Sequence, residues 1–228
     1  MYSSGLLVSS TAKRILIDIL RHGEPEGGDI LRGRIDSVLT RLGWQQMRRA
    51  TALVDVDSKS TLTPNWTHII SSPLQRCRQF AEEISQHTKT DLQVNDQWQE
   101  IDYGDWDGML LSEWRKEAAD QFKEFRKDLS KLVPPNGEDY LSFKDRILTA
   151  WQEISELEDG SHVLLVTHGG VMRVILPTIL GMPLNRSSPL IIPFACFSRV
   201  SLEVKETTLS ASLQFHNAAE YESRALTI

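Results

Sequence analysis

The residues with the most chemistry in them fall in two short runs. Arg21-His22-Gly23-Glu24 follows the apolar stretch Ile15-Leu16-Ile17-Asp18-Ile19-Leu20, and His168-Gly169-Gly170 follows Val163-Leu164-Leu165-Val166-Thr167. Each stretch reads as a buried strand, so each histidine arrives where a strand gives way to a loop. Ligands of open α/β sheets bind at the carboxyl ends of the strands, and two histidines delivered this way predict a single site. Neutral imidazole is nucleophilic near neutral pH and can carry a phosphoryl group. Arg21, and Arg76 in the first turn of a later helix, have the forked geometry that grips pairs of phosphate oxygens. Phosphoryl transfer asks mainly for positioning and charge neutralisation. Two guanidiniums and His168 meet that demand without a metal. The predicted chemistry is phosphoryl transfer with His22 as nucleophile.

A leaving alkoxide needs a proton. The stretch Trp98 to Gly108 is rich in tryptophan and acid, and it offers Glu100, Asp102, Asp105 and Asp107. Glu100 leads, because burial among aromatic residues raises a carboxyl's pKa; the three aspartates remain rivals by composition. A catalytic metal has little support, since the six histidines include no His-x-x-x-His pair and the two cysteines no Cys-x-x-Cys. No cofactor is implied.

The elements that must hold these residues alternate. The first strand leads into a loop, Glu24 to Asp36, containing Pro25, Gly27, Gly28 and Gly33, whose backbone can approach an anion closely. Thr40 is the expected N-cap of a helix carrying Leu42, Gln46, Ala50 and Leu53. Thr67–Ser72 reads as a strand, and Pro73 is expected to open a helix running from Leu74 to about Ile84. Asp91–Val94 alternates like an edge strand. A helical pattern from Ser112 to about Leu129 places Trp114, Ala118, Phe122 and Phe125 on one stripe; it is read either as a surface helix or as a lid. A long helix with Tyr140, Phe143, Ile147, Ala150, Trp151 and Ile154 on one face is expected to stop at Gly160. After the strand ending at Thr167 comes a helix through Leu180. Cys196–Val204 and Leu209–Phe215 read as an antiparallel pair turning near Thr207. The expected fold is a three-layer α/β/α sandwich with a mainly parallel sheet.

The chain's 228 residues suffice for one sizeable domain. Residues 1–13 read as a loose N-terminal extension, residues 14–228 as a single domain, and residues 108–134 as an insertion or lid. A net charge of −6 argues against nucleic acid as a partner. No apolar run approaches the roughly 18 residues of a membrane span. Cys77 and Cys196 cannot build a disulfide framework, which fits a reducing, cytoplasmic setting. The expected partner is a small phosphate ester, with no membrane contact; oligomeric state is open, a homodimer being one option.

These runs resemble the histidine phosphatase, or phosphoglycerate-mutase-like, superfamily. Leu20-Arg21-His22-Gly23-Glu24 is similar to its Arg-His-Gly signature. Ser71-Ser72-Pro73-Leu74-Gln75-Arg76 is similar to the motif that supplies its second arginine. Gln99 to Gly108 resembles its acid loop, and Thr167-His168-Gly169-Gly170-Val171-Met172-Arg173 its last motif. The match runs in order over about residues 14 to 205. The resemblance implies a metal-independent phosphomonoesterase. In it, His22 forms a phosphohistidine, Glu100 is the proton donor, His168 assists, and Arg21, Arg76 and His168 bind phosphate. Gly33-Arg34-Ile35-Asp36-Ser37-Val38-Leu39-Thr40 and the turn Pro135-Asn136-Gly137-Glu138 look like segments of the smaller bacterial phosphatases, which puts Gly33 and Arg34 at the substrate. Within the superfamily the resemblance runs closest to the alpha-ribazole 5′-phosphate phosphatases of cobalamin assembly. Trp98, Trp106 and Trp114 are candidates to stack on such a base, against a competing role in the core. Pro25, Gly28 and Phe80 stand where the family often carries a hydroxyl, an asparagine and a threonine; fewer anion contacts suit a hydrolase better than a mutase. A broad sugar phosphatase, a phosphoglycerate mutase and a non-catalytic phosphoprotein-binding module are the alternatives. The last would need His22 or Glu100 to be lost, and both are present.

Overall fold

The computed structural model describes residues 12–51, 65–183, 190–205 and 208–217. Six strands form one sheet: β1 (Lys13–Arg21), β2 (His68–Ser71), β3 (Leu92–Val94), β4 (His162–Thr167), β5 (Phe197–Lys205) and β6 (Thr208–Phe215), in the order β3-β2-β4-β1-β5-β6. The pairs β1–β4, β2–β4 and β2–β3 are parallel; β1–β5 and β5–β6 are antiparallel. The sheet is thus parallel where the two histidine-bearing strands lie and antiparallel at one margin. Among the described residues six α-helices accompany it: α1 (Arg41–Ala50), α2 (Gln75–Thr88), α3 (Leu111–Glu117), α4 (Ala119–Lys127), α5 (Tyr140–Ser155) and α6 (Gly169–Ile179).

The central strands bury both faces, as parallel strands between helix layers must. Their side chains alternate between two cores. Leu20, Ile69, Leu164 and Val166 pack with Met47 of α1 and with Cys77, Phe80, Ala81 and Ile84 of α2. Ile15, Ile17, Ile19, Val163 and Leu165 pack with α5 and α6 on the opposite face. The result is the expected three-layer sandwich.

Several element details differ from the sequence reading. β1 begins at Lys13, inside the stretch read as extension. α1 is capped by Thr40, whose hydroxyl accepts from the Gly43 amide, but it buries Gly43 and Met47 and leaves Leu42 half exposed; Leu53 lies outside the described residues. α2 starts at Gln75, not at Pro73, because Leu74 is still extended (ψ 133°), and it continues to Thr88. The Ser112–Leu129 pattern is two helices. Ala118 (φ −92°, ψ 21°) ends one and starts the next, which brings Trp114 against both Phe122 and Phe125 at ring distances of 5.3 and 5.6 Å. α5 ends at Ser155, with Glu156 as its C-cap, and Gly160 (φ +79°) belongs instead to the turn into β4, where its amide donates to Arg14 O. The turn expected near Thr207 lies outside the described residues.

Candidate active site

The register of two parallel strands makes the site. Arg21 of β1 pairs with Thr167 of β4, and the His22 amide donates to Thr167 O at 2.9 Å. The next residue on each strand is therefore a histidine beside a histidine. The His22 and His168 ring centroids lie 5.3 Å apart, edge to face. Both rings are buried, His168 completely.

Each imidazole has a fixed partner. His22 Nδ1 lies 2.7 Å from Gly23 O. A carbonyl can only accept, so the proton sits on Nδ1 and the Nε2 lone pair is left for a reacting atom. Burial, and then the charges of Arg76 and Arg21, push the His22 pKa well below its ordinary value. The same causes, with burial first, act on His168. His168 Nε2 bonds to Ser72 Oγ at 2.7 Å, and the Cys77 thiol packs 3.6 Å from the same nitrogen. Burial raises that thiol's pKa far above the ordinary range, which leaves it protonated.

Two guanidiniums flank the pair. Arg21 donates from Nη1 to Ile192 O at 2.6 Å and packs its Cζ 4.4 Å from the centre of the Phe194 ring. Burial lowers its pKa to about 10, so it stays charged at neutral pH. Arg76 is fully buried and donates to Ile35 O and Gly33 O, both at 2.7 Å. The Nε of each is buried without a partner.

Glu100 sits at the start of α6. Its Oε2 accepts from the Gly170 amide at 2.8 Å and its Oε1 from the Ile101 amide at 3.0 Å, bonds that fix the carboxyl group and leave each oxygen a further lone pair. A Cβ on residue 170 would collide with Glu100 Oε1 where the carboxyl group now sits. The rival acids have other work. Asp107 accepts from the amides of Gly33, Arg34 and Ile35 at 2.7, 2.7 and 2.8 Å. Asp102 accepts from Gly104 N, and Asp105 takes the Asn136 side chain.

A cavity of about 430 Å³ opens over this group. Arg21, His22 and Glu100 line it, with Arg32, Tyr103, Arg173, Ile192 and Phe194 among the other wall residues. His168 and Arg76 do not line it; they form the layer behind His22. Gly33 and Arg34 do not line it either. Gly33 packs on Ile101 and Tyr103, and Arg34 reaches Glu138 at 3.9 Å. Trp98, Trp106 and Trp114 are core residues, 1%, 4% and 7% exposed, and the wall's aromatic rings are Tyr103 and Phe194. Nothing in the sequence marks Phe194. Arg32 has one signal, its place within the glycine-rich loop Glu24 to Asp36. Among the described residues no cluster of three or more His, Cys, Asp or Glu side chains is arranged to hold a metal ion, and no helix is long and apolar enough to cross a membrane.

A sheet with two imidazoles at the carboxyl ends of neighbouring strands, ringed by arginines, defines a class of α/β enzymes that act on phosphate groups. Residues 17–213 match the family described as the histidine phosphatase superfamily (branch 1), and the chain belongs to that family. It is 23% identical over 193 residues to the adenosylcobalamin/alpha-ribazole phosphatase of Escherichia coli K12, covering 84% of this chain and 92% of that one. It is 33% identical over 175 residues to a protein of Escherichia fergusonii named "Probable phosphoglycerate mutase GpmB", covering 72% and 74%. The crystal structure of the alpha-ribazole phosphatase from Shigella flexneri shares the fold, with a TM-score of 0.72 at 21% identity over 90% of this chain and 96% of that one.

Proposed function

We propose that the protein hydrolyses a phosphate monoester through a phosphohistidine on His22. In the first step His22 Nε2 attacks phosphorus. The bond from phosphorus to the ester oxygen breaks, and Glu100 gives its proton to the departing alcohol. In the second step water attacks phosphorus, the nitrogen–phosphorus bond breaks, and Glu100 takes the water's proton. Arg21 and Arg76 offset the phosphoryl charge, and His168, held by Ser72 Oγ, packs edge to face on the buried side of the nucleophile. The observation that carries this reading is the Nδ1–H bond from His22 to Gly23 O, which leaves Nε2 unprotonated beside the cavity.

For the substrate we propose alpha-ribazole 5′-phosphate. The support is the likeness to two proteins named for that activity and a cavity wall that pairs arginines with the Tyr103 and Phe194 rings, which suits a phosphate joined to a flat base. Leu111 of α3 also lines the cavity, so the segment 108–134 serves as a cover over the alcohol part. Mutase activity is the second reading, favoured by the 33% identity to the protein named as a mutase. A panel of phosphate esters tests both. The expected result is fastest release of free phosphate from alpha-ribazole 5′-phosphate, with an acid-labile phosphoryl label on the wild-type protein and neither label nor turnover in His22→Ala. Isomerisation of phosphoglycerate without free phosphate would establish the mutase instead. Substantial turnover by His22→Ala would end the whole scheme.

A further inference from the structure

Three consecutive carbonyls beside the cavity are each held by a different basic side chain. Arg173 Nη1 of α6 donates to Leu190 O at 2.8 Å. His216 Nε2, just past β6, donates to Ile191 O at 2.8 Å. Arg21 Nη1 donates to Ile192 O at 2.6 Å. The chain then bends at Ala195, whose φ of +54° is a left-handed conformation, and the Ala195 amide donates to His22 O at 3.0 Å. Residues 190–195 thus form a strap along one wall, and it is tied down by side chains rather than by a strand ladder.

The strap faces the chemistry directly. Ile192 and Phe194 line the cavity. The Phe194 ring lies 5.8 Å from the His22 ring and 4.4 Å from Arg21 Cζ. Arg21 has a buried, unpartnered Nε, so its orientation rests on Ile192 O and the Phe194 ring, both of them strap groups. Two of the three tethers, Arg21 and Arg173, are themselves wall residues. His216 is not. It holds the strap from behind, and its own ring is fixed by the sheet. Because Nε2 carries the proton that reaches Ile191 O, Nδ1 is the acceptor for the Ser198 hydroxyl at 2.8 Å. Ser198 is fully buried on β5. One line of contacts therefore runs from the start of β5 through an imidazole to the strap, and from the strap to the guanidinium beside the nucleophile.

We infer that His216 is a positioning residue of the active site: from the end of the last strand it sets the strap, and the strap sets Phe194 and the Arg21 guanidinium. The inference rests on the proposal that Arg21 binds the substrate's phosphate. Its consequence is specific. The His22 ring is fixed by Gly23 O and its backbone amide by Thr167 O, and Glu100 by the start of α6, so loosening the strap at Ile191 weakens phosphate binding more than it slows the chemical step.

The test is a pair of variants that keep different halves of the imidazole. His216→Asn places an amide about where Nδ1 lies and keeps Ser198, whereas His216→Gln reaches about as far as Nε2 and keeps Ile191 O. With orthovanadate and inorganic phosphate as probes, the Gln variant should bind like wild type. The Asn variant should bind about three- to tenfold more weakly, the worth of one hydrogen bond. KM for a phosphate ester should rise with the binding loss while kcat stays within about threefold, and the two variants should melt at the same temperature. Ser198→Ala, which frees Nδ1 but leaves Nε2 on Ile191 O, should keep KM near wild type as the Gln variant does, and His216→Ala, which removes both bonds and should raise KM as the Asn variant does, serves should the Asn variant fail to fold. Equal binding by the Asn and Gln variants, or kcat falling together with the melting temperature, would overturn the inference. Its failure is separable from that of the proposed function: wild-type turnover that survives His22→Ala removes the phosphohistidine, whereas His22-dependent turnover with indistinguishable Asn and Gln variants removes only the role of His216.

Discussion

The His22 imidazole owes its usable lone pair to one backbone carbonyl, Gly23 O. Its neutrality comes from burial and two neighbouring guanidiniums. This has a consequence for stability. His22 and His168 both have folded pKa values well below the ordinary 6.5. The unfolded chain therefore binds more protons than the folded one in the window beneath 6.5, and stability must fall as pH drops through it. The slope contributed by each imidazole is at most about 1.4 kcal/mol per pH unit. Denaturant melts taken at intervals from pH 7.5 down to 5 should show this loss, and replacing His168 by Gln should remove part of it. At the same scale, Glu100→Gln should slow esters with poor leaving groups by about a hundredfold or more, the usual worth of a general acid. Nitrophenyl phosphate, whose leaving group needs no proton, should suffer far less in the initial burst of nitrophenol, which reports formation of the phosphohistidine before water attacks. The residues that sequence could name were those at element ends: His22, His168, Arg21 and Arg76 each follow a strand or open a helix beside glycine or proline. Phe194, Arg173 and His216 carry no such mark. A phenylalanine in an irregular segment has no spacing to read, and its role exists only because the strap folds back on Arg21.

At the scale of elements, the site depends on close approaches of backbone. Gly23 at the end of β1 and Gly43 in α1 meet directly: a Cβ on either would strike the other's neighbourhood, Gly43 O in one case and Glu24 O in the other. Neither is an obvious structural glycine in the sequence, since a glycine inside a helix reads only as a weakness. Gly43→Ala should therefore destabilise by about 1–3 kcal/mol, as overpacking does, against the gain in helix propensity expected at an exposed position. It should also lower activity, because the backbone it displaces carries His22; thermal melts and kcat/KM together check this. Gly170→Ala tests the other approach. Its Cβ would collide with a carboxylate oxygen rather than with backbone, so Glu100 should move and the fold should largely hold. The expected outcome is a loss of activity on poor leaving groups resembling that of Glu100→Gln, with a small change in melting temperature. The break at Ala118 was not legible for the same kind of reason. A helical stripe continued through it, and only the packing of Trp114 on Phe122 and Phe125 decides that the axis turns there.

Taken as a whole, the molecule separates holding from reacting. The reacting groups cluster past the carboxyl ends of β1 and β4. Within the sheet, Asp18 of β1 is fully buried. It accepts from Arg199 Nε and Nη2 at 2.6 and 2.9 Å, from His162 Nε2 at 2.8 Å and from Trp66 Nε1 at 2.8 Å. One carboxylate thus joins β1 to both of its neighbouring strands. Burial alone would raise its pKa, but the hydrogen bonds from His162, Arg199 and Trp66 hold it below the ordinary 3.8. Its contribution is present above that value and is lost as pH falls through the lowered one. Asp18→Ala should cost roughly 3 kcal/mol, the low end for breaking a buried pair, because Arg199 is partly exposed and water recovers some of the loss. Steady-state rates measured well below the melting temperature should stay near wild type. The layered architecture and the mainly parallel sheet were legible at this scale, since alternating strands and helices leave few ways to build a sheet, whereas the strand order β3-β2-β4-β1-β5-β6 does not follow from that alternation. The Asp18 network was not: a lone aspartate in an apolar run announces its burial without naming what satisfies it.

The two cysteines give the molecule a pair of internal clocks. Cys77 is sealed in one core layer against His168 and Cys196 in the other. An alkylating reagent can reach either thiol only when that layer opens, so the rate at which each is capped times the opening of its own half. Equal rates mean that the halves part together. A slower Cys77 in the presence of orthovanadate means that filling the site latches the layer behind it.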